Sequence, residues 1–286
     1  VGDIELTEQT NSVTVHVRAN GVGNQFELAL ITLERIEDAE TVRPAPSRDE
    51  NGKVLHITNV RKVARVTGEA LPDETLYNPN NTGSDYDVYG TDLGVMWHTG
   101  KKQVGMFFGD TSGEGFVVNK NGGNGSNWRS NVLAFSSDFD LEDGLKIDSM
   151  ALDFEGKARE ICAGGKTDPE VYQTSIPTSA IRAGKFDCVH YMNIRDWGGS
   201  HGRWLTNFSS LYTSEDGGVT WGRRQEVTFT PDSHFSQVAY AKQKGWIYMI
   251  GTQSGRGDAA YLARFREKDI LDMQSYEYWN GEGKEW

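Results

Sequence analysis

Short strand-like segments, separated by turns rich in Gly, Asp and Asn, recur along the chain from about residue 60 to its end. They are five to eight residues long and include 93–97, 104–108, 131–135 and 246–252. Amphipathic helix patterning is nearly absent. The 33 glycines and 8 tryptophans, set against only 7 prolines, agree with many tight turns. Many antiparallel strands at this spacing predict an all-β fold, either a sandwich or a propeller.

One motif favours the propeller. The segment Ser-Glu-Asp-Gly-Gly-Val-Thr-Trp (214–221) fits the Asp-box pattern Ser-x-Asp-x-Gly-x-Thr-Trp at every fixed position. The residue types suit a tight turn, because Asp216 can accept backbone amides and Trp221 can pack between neighbouring sheets. Such turns recur in sialidase-type propellers and in other secreted β proteins, and residues 136–145 look like a degenerate second copy. The motif predicts a fold and assigns no chemistry.

The first 60 residues differ from the rest. Strand-like segments 12–18 and 26–34 are separated by a glycine-rich turn, and residues 43–53 form a polar, turn-rich stretch. We therefore expect a small N-terminal β appendage and linker over residues 1–60, without chemistry of its own. Residues 61–286 are expected to form the propeller domain.

Charge and hydropathy limit the partners of the chain. With 41 acidic and 29 basic residues, the net charge is −12. Nucleic acid is not expected as a partner, because phosphate binding needs a basic stripe. No apolar run reaches the roughly 20 residues that span a bilayer, so membrane insertion is not expected. No signal peptide is visible, which agrees with an extracellular protein whose signal was removed or with a virion-associated protein.

Cysteines and histidines give no sign of a cofactor. Cys162 and Cys188 can form a disulfide, but two buried free thiols are the simpler expectation without a dense cysteine framework. P-loop and dinucleotide fingerprints are missing, and the histidines lack metal-ligand spacing. We expect no catalytic metal and no cofactor, and leave open a structural calcium ion.

The most informative stretch brings two carboxylates together. Apolar segments 93–97 and 104–108 are joined by a polar turn, which predicts a β-hairpin. If the turn is centred near residue 101, Trp97 faces Gly105 and Asp92 faces Asp110. Directly opposed residues have Cβ atoms about 4.5–5.5 Å apart, with both side chains on one face.

An opposed acidic pair suggests catalysis. Like charges that face each other destabilise a sheet and raise the pKa of one member, which then keeps its proton near neutrality. A glycosidase uses this arrangement, with one carboxylic acid to protonate the leaving oxygen and one carboxylate as base or nucleophile. Two alternatives remain: both aspartates can cap turns or bind calcium, and a register shift of one residue would place them on opposite faces. The spacing does not decide which aspartate is the acid.

Seven stretches of the chain resemble the domain of unknown function 4185 and follow its order over about residues 60–286. They are Gly-Thr-Asp-Leu-Gly-Val-Met-Trp (90–97), Phe-Gly-Asp-Thr (108–111), Trp-Arg-Ser-Asn-Val-Leu-Ala-Phe-Ser (128–136), Ile-Pro-Thr (176–178), Val-His-Tyr-Met (189–192), Gly-Thr-Gln-Ser-Gly-Arg (251–256) and Tyr-Glu-Tyr-Trp-Asn-Gly (276–281). Some members of that family resemble endo-D-arabinanases of glycoside hydrolase family 183, which cut the arabinan of mycobacterial arabinogalactan and lipoarabinomannan. The resemblance implies a five-bladed β-propeller with Asp92 and Asp110 as its acidic pair.

The chain is short for such a ring. Three blades can be laid out, roughly at 86–150, 165–227 and 233–286. Three blades cannot close, and open sheet edges invite aggregation. We expect an incomplete propeller that is completed by another chain, by the rest of a longer protein or by a virion assembly, with residues 1–60 as a further source.

Six further residues are candidates for sugar binding: Arg129, Asn131, His190, Arg195, Trp197 and Arg256. Arg195 and Trp197 combine a planar hydrogen-bond donor with a stacking surface. Arg256 lies between glycines, in a loop where an arginine has few structural roles. Arg129 and Asn131 precede a strand and suit a turn equally well. His190 lies within a strand, where a satisfied core histidine is the common alternative.

Together these features predict an endo-acting glycoside hydrolase whose partner is a cell-wall polysaccharide. The rival from another class is a non-catalytic carbohydrate-binding propeller, for example a phage tail component that recognises an actinobacterial cell wall without cutting it. Oligosaccharides released from arabinogalactan would distinguish the two.

Overall fold

The computed structural model describes residues 61–119, 122–163, 173–198, 202–284 and 286. The chain divides into two compact units, residues 1–63 with 118–122 and residues 64–117 with 123–286. The predicted N-terminal appendage lies outside the described residues, so the division near residue 60 stays a prediction. No helix in the described ranges is long and apolar enough to cross a membrane.

The described part of the chain is mostly β. It contains one short helix, α1 (Thr82–Tyr86), and two 3₁₀ turns, Glu267–Asp269 and Met273–Ser275. In chain order the strands are β1 (Gly90–Thr91), β2 (Val95–His98), β3 (Val104–Phe108), β4 (Thr111–Ser112), β5 (Val117–Asn119), β6 (Gly122–Asn124), β7 (Val132–Ser136), β8 (Ser149–Met150), β9 (Thr174–Ala183), β10 (Phe186–Asp196), β11 (Leu205–Ser214), β12 (Gly222–Phe229), β13 (Gln237–Gln243), β14 (Trp246–Thr252), β15 (Tyr261–Arg266) and β16 (Glu277–Tyr278).

Three four-stranded antiparallel sheets dominate this architecture. Their strand orders are β2-β3-β7-β8, β9-β10-β11-β12 and β13-β14-β15-β16, with β1-β4 and β5-β6 as two-stranded ribbons. Four antiparallel strands in succession are the blade unit of a propeller. Each predicted blade corresponds to one of these sheets, although the second ends slightly later, at Phe229. The all-β prediction is confirmed, whereas the five-bladed ring stays a prediction.

The first strands of the three sheets lie side by side, since β9 contacts both β2 and β13. Between β9 and β13, the Tyr240 amide donates to Ser179 Oγ at 3.1 Å. Apolar side chains fill the spaces between the sheets. Phe107 and Val189 belong to the cluster between the first and second sheets, and Leu211 belongs to the cluster between the second and third. Burial of these apolar faces holds the sheets together.

Trp97 on β2 joins the first sheet to the second. Its ring lies directly over Gly105 of β3, where a Cβ atom would come within 2.2 Å of the indole, so only glycine fits there. The ring also stacks on Phe107 with a centroid distance of 5.5 Å. Its Nε1 donates to Oδ1 of the buried Asp187 at 3.0 Å, and Asp187 also accepts from Arg182 at 2.8 Å.

The turn over residues 214–221 connects β11 to β12. Asp216 accepts the amides of Val219 and Thr220 and the hydroxyl of Thr220. Mainly because of the Thr220 hydroxyl, the pKa of Asp216 lies well below its usual range. Trp221 packs edge-on against Phe107 at 5.2 Å, between the sheets as its sequence predicts. That this turn is an Asp box stays an interpretation.

Both cysteines are buried and free, so the thiol alternative is confirmed. Burial raises the pKa of Cys162 and of Cys188 above the usual value. The thiolate is the reactive species, and both side chains are therefore inert packing residues.

Candidate functional site

The hairpin that carries the two aspartates has the predicted register. Trp97 pairs with Gly105 between β2 and β3, and the ribbon β1-β4 continues the same register beyond the aspartates. Between the two paired regions, the Asp92 amide donates to the Asp110 carbonyl at 3.2 Å, and the Gly109 amide donates to the Asp92 carbonyl at 2.9 Å. Gly109 and Asp110 thus both hydrogen-bond to the backbone of Asp92, so the pairing is locally irregular but the register does not change.

The backbone next to Asp92 is strained. Leu93 has a φ of 65°, which is uncommon for a residue with a bulky side chain, and this side chain is 59% exposed. Across the ribbon, Gly109 leaves space, because a Cβ there would lie 3.1 Å from the Leu93 side chain and 3.5 Å from Asp92 Cβ. A strained position of this kind costs on the order of 1–3 kcal/mol and commonly marks a functional site.

Asp110 receives a hydrogen bond from the second sheet. The hydroxyl of Thr174, the first residue of β9, donates to Asp110 Oδ1 at 2.5 Å. Thr174 is only 1% exposed, and Asp110 is half-buried. A hydroxyl that donates to a carboxylate favours its ionised form.

Asp92 has different surroundings. Asp92 is exposed to solvent, but the protein atoms that lie near its carboxyl group desolvate it in part and raise its pKa. The positive charge of Arg256 acts in the opposite direction and lowers this pKa. The predicted residue Arg256, distant in sequence, therefore lies close enough to Asp92 to influence its charge.

The loop between β14 and β15 holds Arg256 in place. The Arg256 amide donates to the Gly202 carbonyl at 3.0 Å, and Gln237 Nε2 donates to the Gly255 carbonyl at 2.7 Å. Gly255 has a φ of 119°, and a Cβ there would lie 2.3 Å from the Gly202 oxygen, so a side chain is excluded. The Arg256 guanidinium lies over the ring of Trp204 at 5.6 Å.

Two tryptophans extend this surface. Trp197 contacts Trp204 edge to face at 5.1 Å and is 43% exposed. An exposed aromatic ring beside a guanidinium offers both a stacking face and hydrogen-bond donors. Trp204 and Thr174 were not predicted from the sequence. A tryptophan directly before a strand is a signal for the first, whereas no local pattern marks the second. Arg195 is exposed at a bulge near the end of β10, and its role stays a prediction.

The side chains of Arg129 and Asn131 are buried and form hydrogen bonds to backbone groups. The Arg129 guanidinium donates to the carbonyls of Asp87 at 2.7 Å and Ala158 at 3.1 Å. The Asn131 side chain donates to the Cys162 carbonyl at 2.9 Å and accepts the Cys162 amide at 2.9 Å. Their prediction as sugar ligands is corrected, because these hydrogen bonds leave both side chains inside the fold.

His190 is a core residue. It is fully buried, its Nδ1 lies 2.9 Å from the Thr178 hydroxyl, and its ring packs against Phe229 and Tyr240. Its Nε2 faces the Phe235 backbone without well-formed hydrogen-bond geometry. Burial lowers the pKa of His190 to about 3, so the imidazole is neutral. The prediction that His190 binds sugar is corrected in favour of core packing.

No group of three or more His, Cys, Asp or Glu side chains in the described ranges is arranged to hold a metal ion. Carboxyl groups such as those of Asp92 and Asp110 can transfer protons, and Arg256 places a positive charge near Asp92.

These observations define a mostly β protein of blade-like sheets, with an acidic pair on the hairpin of its first sheet. Residues 77–286 match the family described as Domain of unknown function (DUF4185), and the chain belongs to that family. The family expected from the sequence is thereby confirmed. Residues 1–36 match a second family, Domain of unknown function (DUF8441). Comparison with curated proteins found no match.

Solved structures similar to the chain include two sugar-cleaving enzymes. One is a GH32 β-fructofuranosidase variant from Bombyx mori in complex with sucrose, with 14% identity, a TM-score of 0.39, and 68% of this chain and 36% of that chain covered. Another is a xylan β-1,4-xylosidase from Bacillus halodurans, with 11% identity, a TM-score of 0.31, and 68% and 43% covered. The chain spans less than half the length of either structure. Similarity at TM-scores of this size does not indicate a shared activity.

Proposed function

We propose that the chain is a glycoside hydrolase that cleaves within a furanose polysaccharide, the D-arabinan of actinobacterial cell walls. The observation that carries the proposal is the backbone pairing of Asp92 with Asp110 on one ribbon, with different surroundings for the two carboxyl groups. The choice of arabinan and of endo cleavage rests on the resemblance to the endo-D-arabinanase branch of the family.

The two carboxyl groups have different roles in this proposal. Asp92 is the general acid, because desolvation raises its pKa and favours a proton on it when the substrate binds. Asp110 is the carboxylate, because the Thr174 hydroxyl donates to it. Asp92 protonates the glycosidic oxygen as the bond to the anomeric carbon breaks. Asp110 attacks that carbon directly or activates a water molecule to do so.

Arg256, Trp197 and Trp204 bind the sugar chain in this proposal. The guanidinium can donate to ring hydroxyls, and the exposed face of Trp197 can stack on a sugar ring. Because the Gly255 loop is held by backbone hydrogen bonds, little freedom is lost when the substrate binds.

A non-catalytic carbohydrate-binding protein is the second candidate. The observation that favours it is the exposure of Trp197 and Arg256, which both contact Trp204 and would serve binding alone. In that case the protein would recognise the wall, for example within a phage tail, and leave the polymer intact.

Purified mycobacterial arabinogalactan is the substrate for the test. We expect the protein to release a ladder of oligosaccharides, and Asp92→Asn and Asp110→Asn each to lower the rate about 100- to 10,000-fold. Asp85→Asn is the matched control, because Asp85 is an exposed acid on α1. Full activity in both site variants would refute the assignment. Retention of the polymer without any released product would favour the binding protein.

A further inference from the structure

The hydrogen bond between Thr174 and Asp110 crosses from one sheet to another. Asp110 belongs to the ribbon of the first sheet, whereas Thr174 opens β9 in the second. The backbone of Thr174 is fixed by its pairing with Ile194 of β10. The amide of the preceding residue, Gln173, donates to the Ile194 carbonyl at 2.7 Å. The backbone position of the residue that donates to Asp110 is therefore fixed by the second sheet.

We propose that Thr174 is a positioning residue, which orients the Asp110 carboxylate and keeps it ionised for the reaction. This inference rests on the proposed hydrolase function and adds a residue that does not touch the substrate. The side chain of Thr174 is buried, and its hydroxyl lies 2.5 Å from Asp110 Oδ1. A threonine side chain is stiff at χ1, so the hydroxyl direction is restricted.

The neighbouring hydroxyl provides a contrast within the same strand. Ser175 is equally buried, but its Oγ donates to the Ala163 carbonyl at 2.8 Å and has a structural role. Two successive buried hydroxyls thus point to different kinds of partner, because successive side chains of a strand point to opposite faces. Of these two hydroxyls, that of Thr174 donates to the Asp110 carboxylate and that of Ser175 donates to a backbone carbonyl.

Loss of the Thr174 hydroxyl has a defined chemical consequence. Valine has nearly the same shape but cannot donate a hydrogen bond. Without the donor, the charged form of Asp110 is less stable, and Asp110 takes up a proton at higher pH. The inactive, doubly protonated pair then persists to higher pH, so activity falls first on the acidic side.

The experiment compares Thr174→Val, Thr174→Ser and Ser175→Ala with the wild type. The readout is kcat/KM against pH, from reducing ends released from arabinogalactan. For Thr174→Val we expect the acidic limb to move up by about one pH unit and kcat to fall about tenfold at an unchanged KM. Thr174→Ser retains the hydroxyl donor and should keep the pH profile of the wild type. Ser175→Ala should leave the acidic limb in place, whatever its effect on stability.

The outcomes separate the two proposals. If the wild type and Thr174→Val share one acidic limb while Asp110→Asn is inactive, the positioning role is wrong and the hydrolase stands. If Thr174→Val does not fold, Thr174→Cys takes its place, because a thiol is a weaker donor; an unshifted limb there overturns the role equally. If the wild type releases no product from arabinogalactan, both proposals fall.

Discussion

Removing the Asp187 carboxylate should destabilise the junction between the first and second sheets. This side chain is fully buried and accepts hydrogen bonds from Trp97 Nε1 at 3.0 Å and from Arg182 Nη1 at 2.8 Å. In Asp187→Ala the indole N–H loses its partner inside the core, which costs about 1–3 kcal/mol. The Arg182 side chain is 28% exposed and can turn partly to water. Loss of its ion pair with Asp187 therefore costs less than the roughly 3–5 kcal/mol that is typical when a fully buried ion pair is broken.

We therefore expect the free energy of unfolding to fall by about 3 kcal/mol, a large part of the roughly 5–15 kcal/mol that stabilises a domain. Urea unfolding, followed by tryptophan fluorescence, measures this change, and the m-value should stay constant. Thermal unfolding should show a midpoint lowered by roughly 6–12 °C. Asp85→Ala on the exposed side of α1 is the control and should change stability by less than about 0.5 kcal/mol.

A double-mutant cycle tests the cause. Trp97→Phe removes the same donor, so the double variant Trp97→Phe/Asp187→Ala should lose less stability than the sum of the two single changes, by about 1 kcal/mol or more. Strict additivity, or a loss below about 1 kcal/mol in Asp187→Ala alone, would refute the reasoning that this buried hydrogen bond joins the sheets.

Two further predictions concern His190 and the Arg256 loop. The pKa of His190 is lowered to about 3 in the folded chain, against roughly 6.5 when unfolded, so the unfolded state binds a proton first as the pH falls. The contribution of neutral, buried His190 to the free energy of unfolding is therefore complete above about pH 6.5 and is lost toward pH 3, with a slope of up to about 1.4 kcal/mol per pH unit. In urea titrations at several pH values, His190→Phe should make the free energy of unfolding less dependent on pH in this range. An unchanged slope in this variant contradicts the prediction. Gly255→Ala should displace the loop from Gly202 and raise KM for arabinogalactan about tenfold or more, whereas Gly222→Ala, with open space around its Cβ, should leave KM unchanged. Equal KM values in the two glycine variants would show that the loop does not hold Arg256 for binding.

Local sequence patterns predicted the elements that depend on neighbours in the chain. The two apolar segments 93–97 and 104–108, joined by a polar turn, predicted the hairpin, and the register with Trp97 opposite Gly105 is confirmed. The residues of the 214–221 segment likewise predicted a self-contained turn. The succession of strands predicted three blades, since antiparallel strands joined by short turns pair with their neighbours.

Local sequence patterns could not predict which residues surround the candidate site. Thr174 lies 64 residues from Asp110 in sequence, and an ordinary strand-opening threonine shows no sign of this partner. The burial of Arg129, Asn131 and His190 likewise depends on packing between distant segments.

The sequence by itself determined the succession of strands, the hairpin register and the pairing of the Asp92 backbone with that of Asp110, because these follow from apolar segments and turn chemistry over short distances. Only the tertiary structure decided that protein atoms desolvate the Asp92 carboxyl group, that Thr174 donates to Asp110, and that Arg256 lies near Asp92. The physical reason is that the charge state of a carboxyl group depends on every atom around it, and Thr174 and Arg256 belong to segments distant in sequence from the aspartates.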